Sequence, residues 1–387
     1  MRSATINGSA IQRVRVGVAA AEAVASEAQL LGAQRVMLIV GSHLATETDE
    51  IDRIRAALGP RAVLTHQGIR PHVMKSDVIA AALRAADERV DLVVAVGGGS
   101  VIDAAKMVVL SLRHGARTVE DLAPLRMGQP PAPEGQGPVV RLVLVPATLS
   151  AGEFNPMAGA TDEARGQKEG YADRVMSPTA VVLDPAITRH TPEWLWLSTG
   201  VRAVDHAVET LVSRRSNDHA DGLAESGLSL LAQGLRQVKE YPDDMEARLR
   251  CQVGAWHAML PLVGGVPMGA SHAIGHALGG HCKVPHGYTS CVMAPEVQRW
   301  NAEVDTHGHA RAAACFDAGG RPLGDVLDDF IRGLGLPRRL AEVGVTRQQL
   351  HEVAEHALHD IWAKTNPRPI DGIEDMLAIL GRAGAAD

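Results

Sequence analysis

The segment Ser271–Gly287 reads SHAIGHALGGHCKVPHG and concentrates imidazoles in a short stretch. His272 and His276 are four residues apart, so on a helix they share one face. Gly279 and Gly280 would end that helix, and His286 follows Pro285 in a turn. Two helical imidazoles and a third from the next turn can converge on one point. Imidazole binds zinc and suits iron(II), and it also carries protons near neutral pH. Spacing alone leaves open which rings bind metal and which relay protons. His206 lies in a separate helical stretch, GVRAVDHAVE, beside Asp205 and near Glu209. The pattern is not HExxH, so a zinc-protease motif is absent. His281 reads as a surface or hydrogen-bonded core residue.

A second segment points to an anion. Leu92–Lys106 reads LVVAVGGGSVIDAAK, a buried strand running through Gly97, Gly98 and Gly99 into a helix. Glycine lets backbone approach a phosphate, and a helix start offers free N–H groups and the positive end of its dipole. Ser100 fits an N-cap or a phosphate donor. The motif is neither GxGxxG nor a Walker A loop. The first strand of the alternating pattern ends at Gly41-Ser42 without a carboxylate. A carboxylate there would bind a ribose 2′-hydroxyl and repel a 2′-phosphate, so Ser42 is compatible with NADP as well as NAD.

These sites need elements to hold them. Residues 1–185 alternate β-branched runs (35–40, 62–66, 92–96, 139–145 and 180–183) with Ala-rich helical segments such as Val18–Leu31 and Ser76–Glu88. Strands without polar alternation, separated by helices, predict a parallel sheet covered on both faces. From about Ala186 the strand signal stops, and helical patterns run to the end, among them 193–213, 220–240, 245–262, 270–281, 289–301 and 323–333. The expected division is an α/β Rossmann-like unit over residues 1–185 and an all-α unit over 186–387. The Pro/Gly stretch 127–138 reads as a surface loop.

Composition narrows the class. The chain has 387 residues, 45 acidic against 38 basic, which argues against a nucleic-acid footprint or an anionic membrane surface. No apolar run reaches the roughly 18 residues of a membrane span. The N-terminus lacks a compact apolar segment, and four cysteines without CxxC spacing do not build a disulfide scaffold, so a cytoplasmic location is expected.

Four ordered segments, GGGSVIDAAK (97–106), VPATLSAGEFNPMAG (145–159), DPAITRHTPEWLWLSTGVRAVDHAVE (184–209) and SHAIGHALGGHCKVPHG (271–287), resemble the iron-containing alcohol dehydrogenase superfamily, and NPRPI (366–370) resembles its closing segment. The resemblance covers nearly the whole chain. It implies the fold shared with dehydroquinate synthase and NAD or NADP at Gly98, Gly99, Ser100, Asp103, Thr148 and Ser150, with Lys168 nearby. It implies a small-molecule substrate and a homodimer or higher homo-oligomer. It also implies a divalent metal, iron or zinc, held by one aspartate and three histidines. The three histidines match His206, His272 and His286, and His276 matches a histidine near the substrate, a candidate proton relay.

The aspartate position holds Arg202. A guanidinium cannot ligate a cation and repels one. Asp205 is a substitute, offset by about 60° around the helix. ATLSAGE and HALGG resemble the maleylacetate reductase branch, which likewise lacks the metal aspartate. Two oxidoreductase readings follow. One is hydride transfer between nicotinamide and a small alcohol, aldehyde or ketone. The other is reduction of an unsaturated oxo-acid without metal, with His272, His276 and Arg202 as catalytic groups. A lyase of the related fold would carry several basic residues for a phosphate near the histidines, and only Lys283 stands there. A nucleotide-binding relative without activity is the remaining alternative.

Overall fold

A computed structural model describes residues 4–130, 132–304 and 307–386. The chain divides into two units by internal contacts, one of residues 9–191 and one of residues 4–8 with 192–386.

The first unit holds a six-stranded sheet in the order β1-β8-β5-β4-β2-β3, all pairs parallel. Its strands are β1 (Arg13–Val16), β2 (Val36–Val40), β3 (Ala62–His66), β4 (Leu92–Gly97), β5 (Arg141–Pro146) and β8 (Ala180–Leu183). A two-stranded antiparallel hairpin, β6 (Met157–Asp162) and β7 (Gln167–Ala172), stands apart from the sheet. The helices are α1 (Ala20–Leu30), α2 (Ser42–Glu47), α3 (Glu50–Leu58), α4 (Lys75–Asp87), α5 (Gly99–His114) and α6 (Pro185–Thr188).

Period-two alternation divides the strand side chains between two cores. Val36, Leu38 and Val40 pack with α1 and α3, whereas Met37 and Ile39 pack with α4 and α5. Both faces are thus buried, which is why the central strands read as unbroken apolar runs. The chain moves outward from β2 to β3 and then, from β4, in the opposite direction. The topological switch falls between β2 and β4, and ligands of open α/β sheets bind outside the carboxyl ends of strands at such a point.

Two elements carry no apolar run and were not expected. In β1 the arginines of RVRV both reach the fully buried Glu27 of α1, Arg13 Nη2 at 2.8 Å and Arg15 Nε at 2.8 Å, so an edge strand is held by charge. In the hairpin, Asp162 of β6 and Glu169 of β7 take up the buried Lys75 of α4, at 3.0 Å and 2.5 Å.

The second unit is helical: α7 (Glu193–Val212), α8 (Asp218–Glu240), α9 (Met245–Val263), α10 (Ala270–His281), α11 (His286–Asn301), α12 (His307–Ala314), α13 (Leu323–Gly333), α14 (Leu350–His359) and α15 (Ile373–Arg382). No helix among the described residues is long and apolar enough to cross a membrane. His286, expected in a turn, is the first residue of α11, with Pro285 at its N-cap.

Candidate active site

The glycine turn lies at the carboxyl end of β4. The register pairs Gly97 with Pro146, and Ala147 N–H donates to Gly97 O at 2.9 Å, so the segment after β5 runs beside the turn. A Cβ on Gly98 would lie 3.2 Å from Thr148 Cγ2, and one on Gly99 3.2 Å from Ser150 Oγ. Gly98, not Ser100, is the N-cap of α5, and no side chain caps it. The first N–H groups of α5 therefore stand over two hydroxyls, an arrangement that suits a pyrophosphate. Ser42 is exposed and opens α2 at the end of β2, next to the switch point.

The other expected cofactor residues are tied into the neighbouring loop and hairpin. Asp103 accepts from Gly159 N–H at 3.2 Å, and the Lys168 side chain lies across Gly159. Sequence reasoning passed over Lys106. Its buried Nζ donates to Asn155 O and Met157 O, each at 2.8 Å, and to Gly152 O. Burial lowers this amine to about 8. The neighbouring Glu153 is raised to about 7, again by burial.

In the helical unit, Arg202, Asp205, His206 and Glu209 follow i, i+3, i+4, i+7 spacing on α7 and form one stripe. All four are buried. Helix α11 packs on α7 and on α10, and the first turn of α10 reaches the same stripe. Glu209 accepts Gly269 N–H at 2.8 Å and Ser271 N–H at 2.9 Å, which places its carboxyl on the positive end of α10. Its Oε2 lies 2.7 Å from His272 Nδ1. Asp205 Oδ2 accepts from Ser271 Oγ at 2.6 Å and Ser290 Oγ at 2.8 Å, and lies 3.6 Å from His272 Nδ1. The 60° offset does not turn Asp205 away, because α10 and α11 flank the stripe and supply both serines. Arg202 Nη1 donates to Ser290 Oγ at 3.1 Å. Gly275 makes room for the guanidinium, since a Cβ there would lie 3.0 Å from Arg202 Nη1. Asn366 of NPRPI accepts Ala270 N–H at 3.2 Å, so that motif also holds the start of α10.

The four imidazoles fall into two pairs. His206 and His272 are buried with ring centroids 4.8 Å apart. His276 and His286 are exposed and stacked at 5.9 Å, and His276 Nδ1 bonds Asp360 Oδ2 at 2.8 Å. Burial moves the charge balance strongly. Asp205 and Glu209 are each raised to about 7, mainly by desolvation and, for Asp205, next by the Glu209 charge. His206 is pushed well down by burial, then by His272 and Arg202. His272 is pushed down by burial, then by Arg202 and His276. Both rings are neutral at pH 7.

This donor set does not fit the family's metal. Asp205, Glu209 and His272 are the buried group whose ligand atoms lie within 4.8 Å of one another; His206 and His286 do not complete a comparable set with His272 among the described residues. Asp205 Oδ2 and both Glu209 oxygens already accept hydrogen bonds, Asp205 Oδ1 is buried without a partner, and the Arg202 charge acts on both imidazoles. A dication held by Asp205 Oδ2 or Glu209 would have to displace those bonds, and one held at Asp205 Oδ1 would still lie near a buried guanidinium.

Two family models match this chain, "Iron-containing alcohol dehydrogenase" over residues 12–185 and "Fe-containing alcohol dehydrogenase family, C-terminal" over 196–384. The chain is 31% identical to Dehydrogenase FUM7 of Gibberella moniliformis, over 92% of this chain and 93% of that protein. It is 32% identical to Maleylacetate reductase 2 of Cupriavidus pinatubonensis, over 96% and 94%. The crystal structure of a putative alcohol dehydrogenase from Ralstonia eutropha superposes with a TM-score of 0.85 at 29% identity, covering 99% of this chain and 98% of that one. With a parallel sheet, a glycine turn at its switch point and a helical unit carrying the histidine motifs in family order, the chain belongs to the iron-containing alcohol dehydrogenase family of oxidoreductases.

Proposed function

We propose that this chain is an NADH- or NADPH-dependent reductase of a small carbonyl compound, of the oxo-acid type handled by its maleylacetate reductase relatives, and that its acid–base chemistry uses Glu209 and His272 without a metal. The observation that carries this reading is the contact between Glu209 Oε2 and His272 Nδ1, with His272 Nε2 buried and without a hydrogen-bond partner.

The dinucleotide fits the turn of Gly98, Gly99 and Ser100 with the Thr148 and Ser150 hydroxyls, and when bound it supplies the hydride that goes to the carbonyl carbon. The remaining work falls to side chains. Glu209 holds a proton up to about pH 7. In that state its hydroxyl faces His272 Nδ1, which assigns the ring proton to Nε2. Nε2–H is then the donor to the carbonyl oxygen as negative charge develops there, and Nδ1 takes the Glu209 proton in the same step. Solvent then delivers a proton to Nε2, and Nδ1 returns its proton to Glu209, which restores the starting tautomer. Arg202 holds a fixed positive charge beside this chain. It opposes protonation of His272 beyond neutrality, makes Nε2–H a better donor and stabilises an oxyanion. Asp205, held by two serines, balances that charge. His276, bonded to Asp360 and exposed, fits the entry side of the relay better than its buried end.

The test is NADH and NADPH oxidation at 340 nm with a panel of aldehydes and 4-oxo-acids, after exhaustive chelation and elemental analysis. Turnover of oxo-acids by metal-free protein supports the reading. Activity that appears only on adding iron or zinc, or no turnover with tight nucleotide binding, overturns it.

A further inference from the structure

Outside the buried cluster, a second group of metal-type donors lies on the seam between α10 and α14. His281 ends α10, and Glu352 and His356 are four residues apart on α14, so they share one helix face. One ligand atom from each lies within 4.8 Å of the other two. His281 Nε2 is 3.0 Å from Glu352 Oε2, and the His281 and His356 rings are 5.6 Å apart. Donor atoms on a tetrahedral zinc are about 3.4 Å apart, given bonds of about 2.1 Å, so small rotamer changes bring these three into range. The set has two imidazoles and one carboxylate, whereas the buried cluster has one imidazole and two carboxylates with the Arg202 guanidinium beside them.

We propose that His281, Glu352 and His356 form a divalent transition-metal site, Zn²⁺ by donor chemistry, with water completing the coordination. The site is not a catalytic one. It joins the last turn of α10, the helix that carries His272 and His276, to α14, whose C-cap Asp360 bonds His276.

The test is chelated, dialysed full-length protein titrated with ZnCl₂ by calorimetry, and with CoCl₂ by visible absorption for tetrahedral ligand-field bands. The wild type is expected to bind one equivalent with micromolar affinity and to melt at a higher temperature as Zn²⁺ is added. H356A and H281A should each weaken binding at least tenfold and lose the thermal shift, with unchanged circular dichroism. H351A removes an exposed histidine of the same helix outside the set and should bind like the wild type. Absence of binding at 100-fold protein concentration overturns the proposal. So does binding that H356A and H281A leave intact, or that H351A weakens equally. Metal-free reductase activity should be the same in H356A and wild type, so this result is separable from the reading of the buried site.

Discussion

Replacement of Glu209 by Gln removes one proton from a buried chain while keeping the side-chain shape. Glu209 is raised from 4.5 to about 7, with burial as the main cause. A shift of that size corresponds to about 3 kcal/mol of unfavourable ionisation in the folded state. The sign follows from the raised value. The folded protein holds the proton more tightly than the unfolded chain, so this stability is complete below about pH 4.5 and is lost as pH rises through about 7. Glutamine escapes that cost at pH 8. Its NH₂ group, in place of Oε2, can donate to His272 Nδ1 but cannot accept from Gly269 N–H, and an orphaned donor costs about 1–3 kcal/mol. E209Q should therefore match the wild type in stability near pH 8 and be less stable near pH 5, as read by urea unfolding at both pH values. Catalysis should respond differently. Wild-type kcat for carbonyl reduction should fall about tenfold per unit above about pH 7, following loss of the Glu209 proton. E209Q should lose about 10²-fold or more in kcat at pH 6 with little change in KM, and its profile should be flat across pH 7. A variant that keeps kcat within threefold, or keeps the fall above pH 7, refutes the relay.

Arg202→Met leaves Asp205 and Glu209 buried without their cation, and unfolding free energy at pH 8 should drop by about 3–5 kcal/mol, with a smaller drop at pH 5 where both acids are protonated; an equal drop at both pH values would mean the guanidinium acts only through packing. Gly99→Val places a branched side chain where even Cβ comes 3.2 Å from Ser150 Oγ, so the NADH dissociation constant from fluorescence titration should rise at least tenfold while the melting temperature moves little. Ser42→Asp puts a carboxylate at the end of β2 and should lower kcat/KM for NADPH relative to NADH; equal effects on both cofactors would remove Ser42 from the ribose site.

The parallel sheet and the helical unit were legible in the sequence because period-two and 3.6-residue patterns follow from burial within each element, and the glycine turn because only glycine tolerates such backbone approach. The elements the sequence hid, β1 and the hairpin, are fixed by distant charges, Glu27 and Lys75, that no local pattern announces. The same division holds in the buried site. The spacing of Arg202, Asp205, His206 and Glu209 already defines a stripe on α7, and Arg202 alone signals trouble for a metal. Which carboxyl meets which ring was decided by tertiary packing. Ser290 and Ser271 turn Asp205 into the cluster across 85 and 66 residues of chain, and the start of α10 brings Gly269 and His272 onto Glu209. Burial, a property of the assembled helices and not of residue order, then sets the protonation states on which the chemistry depends.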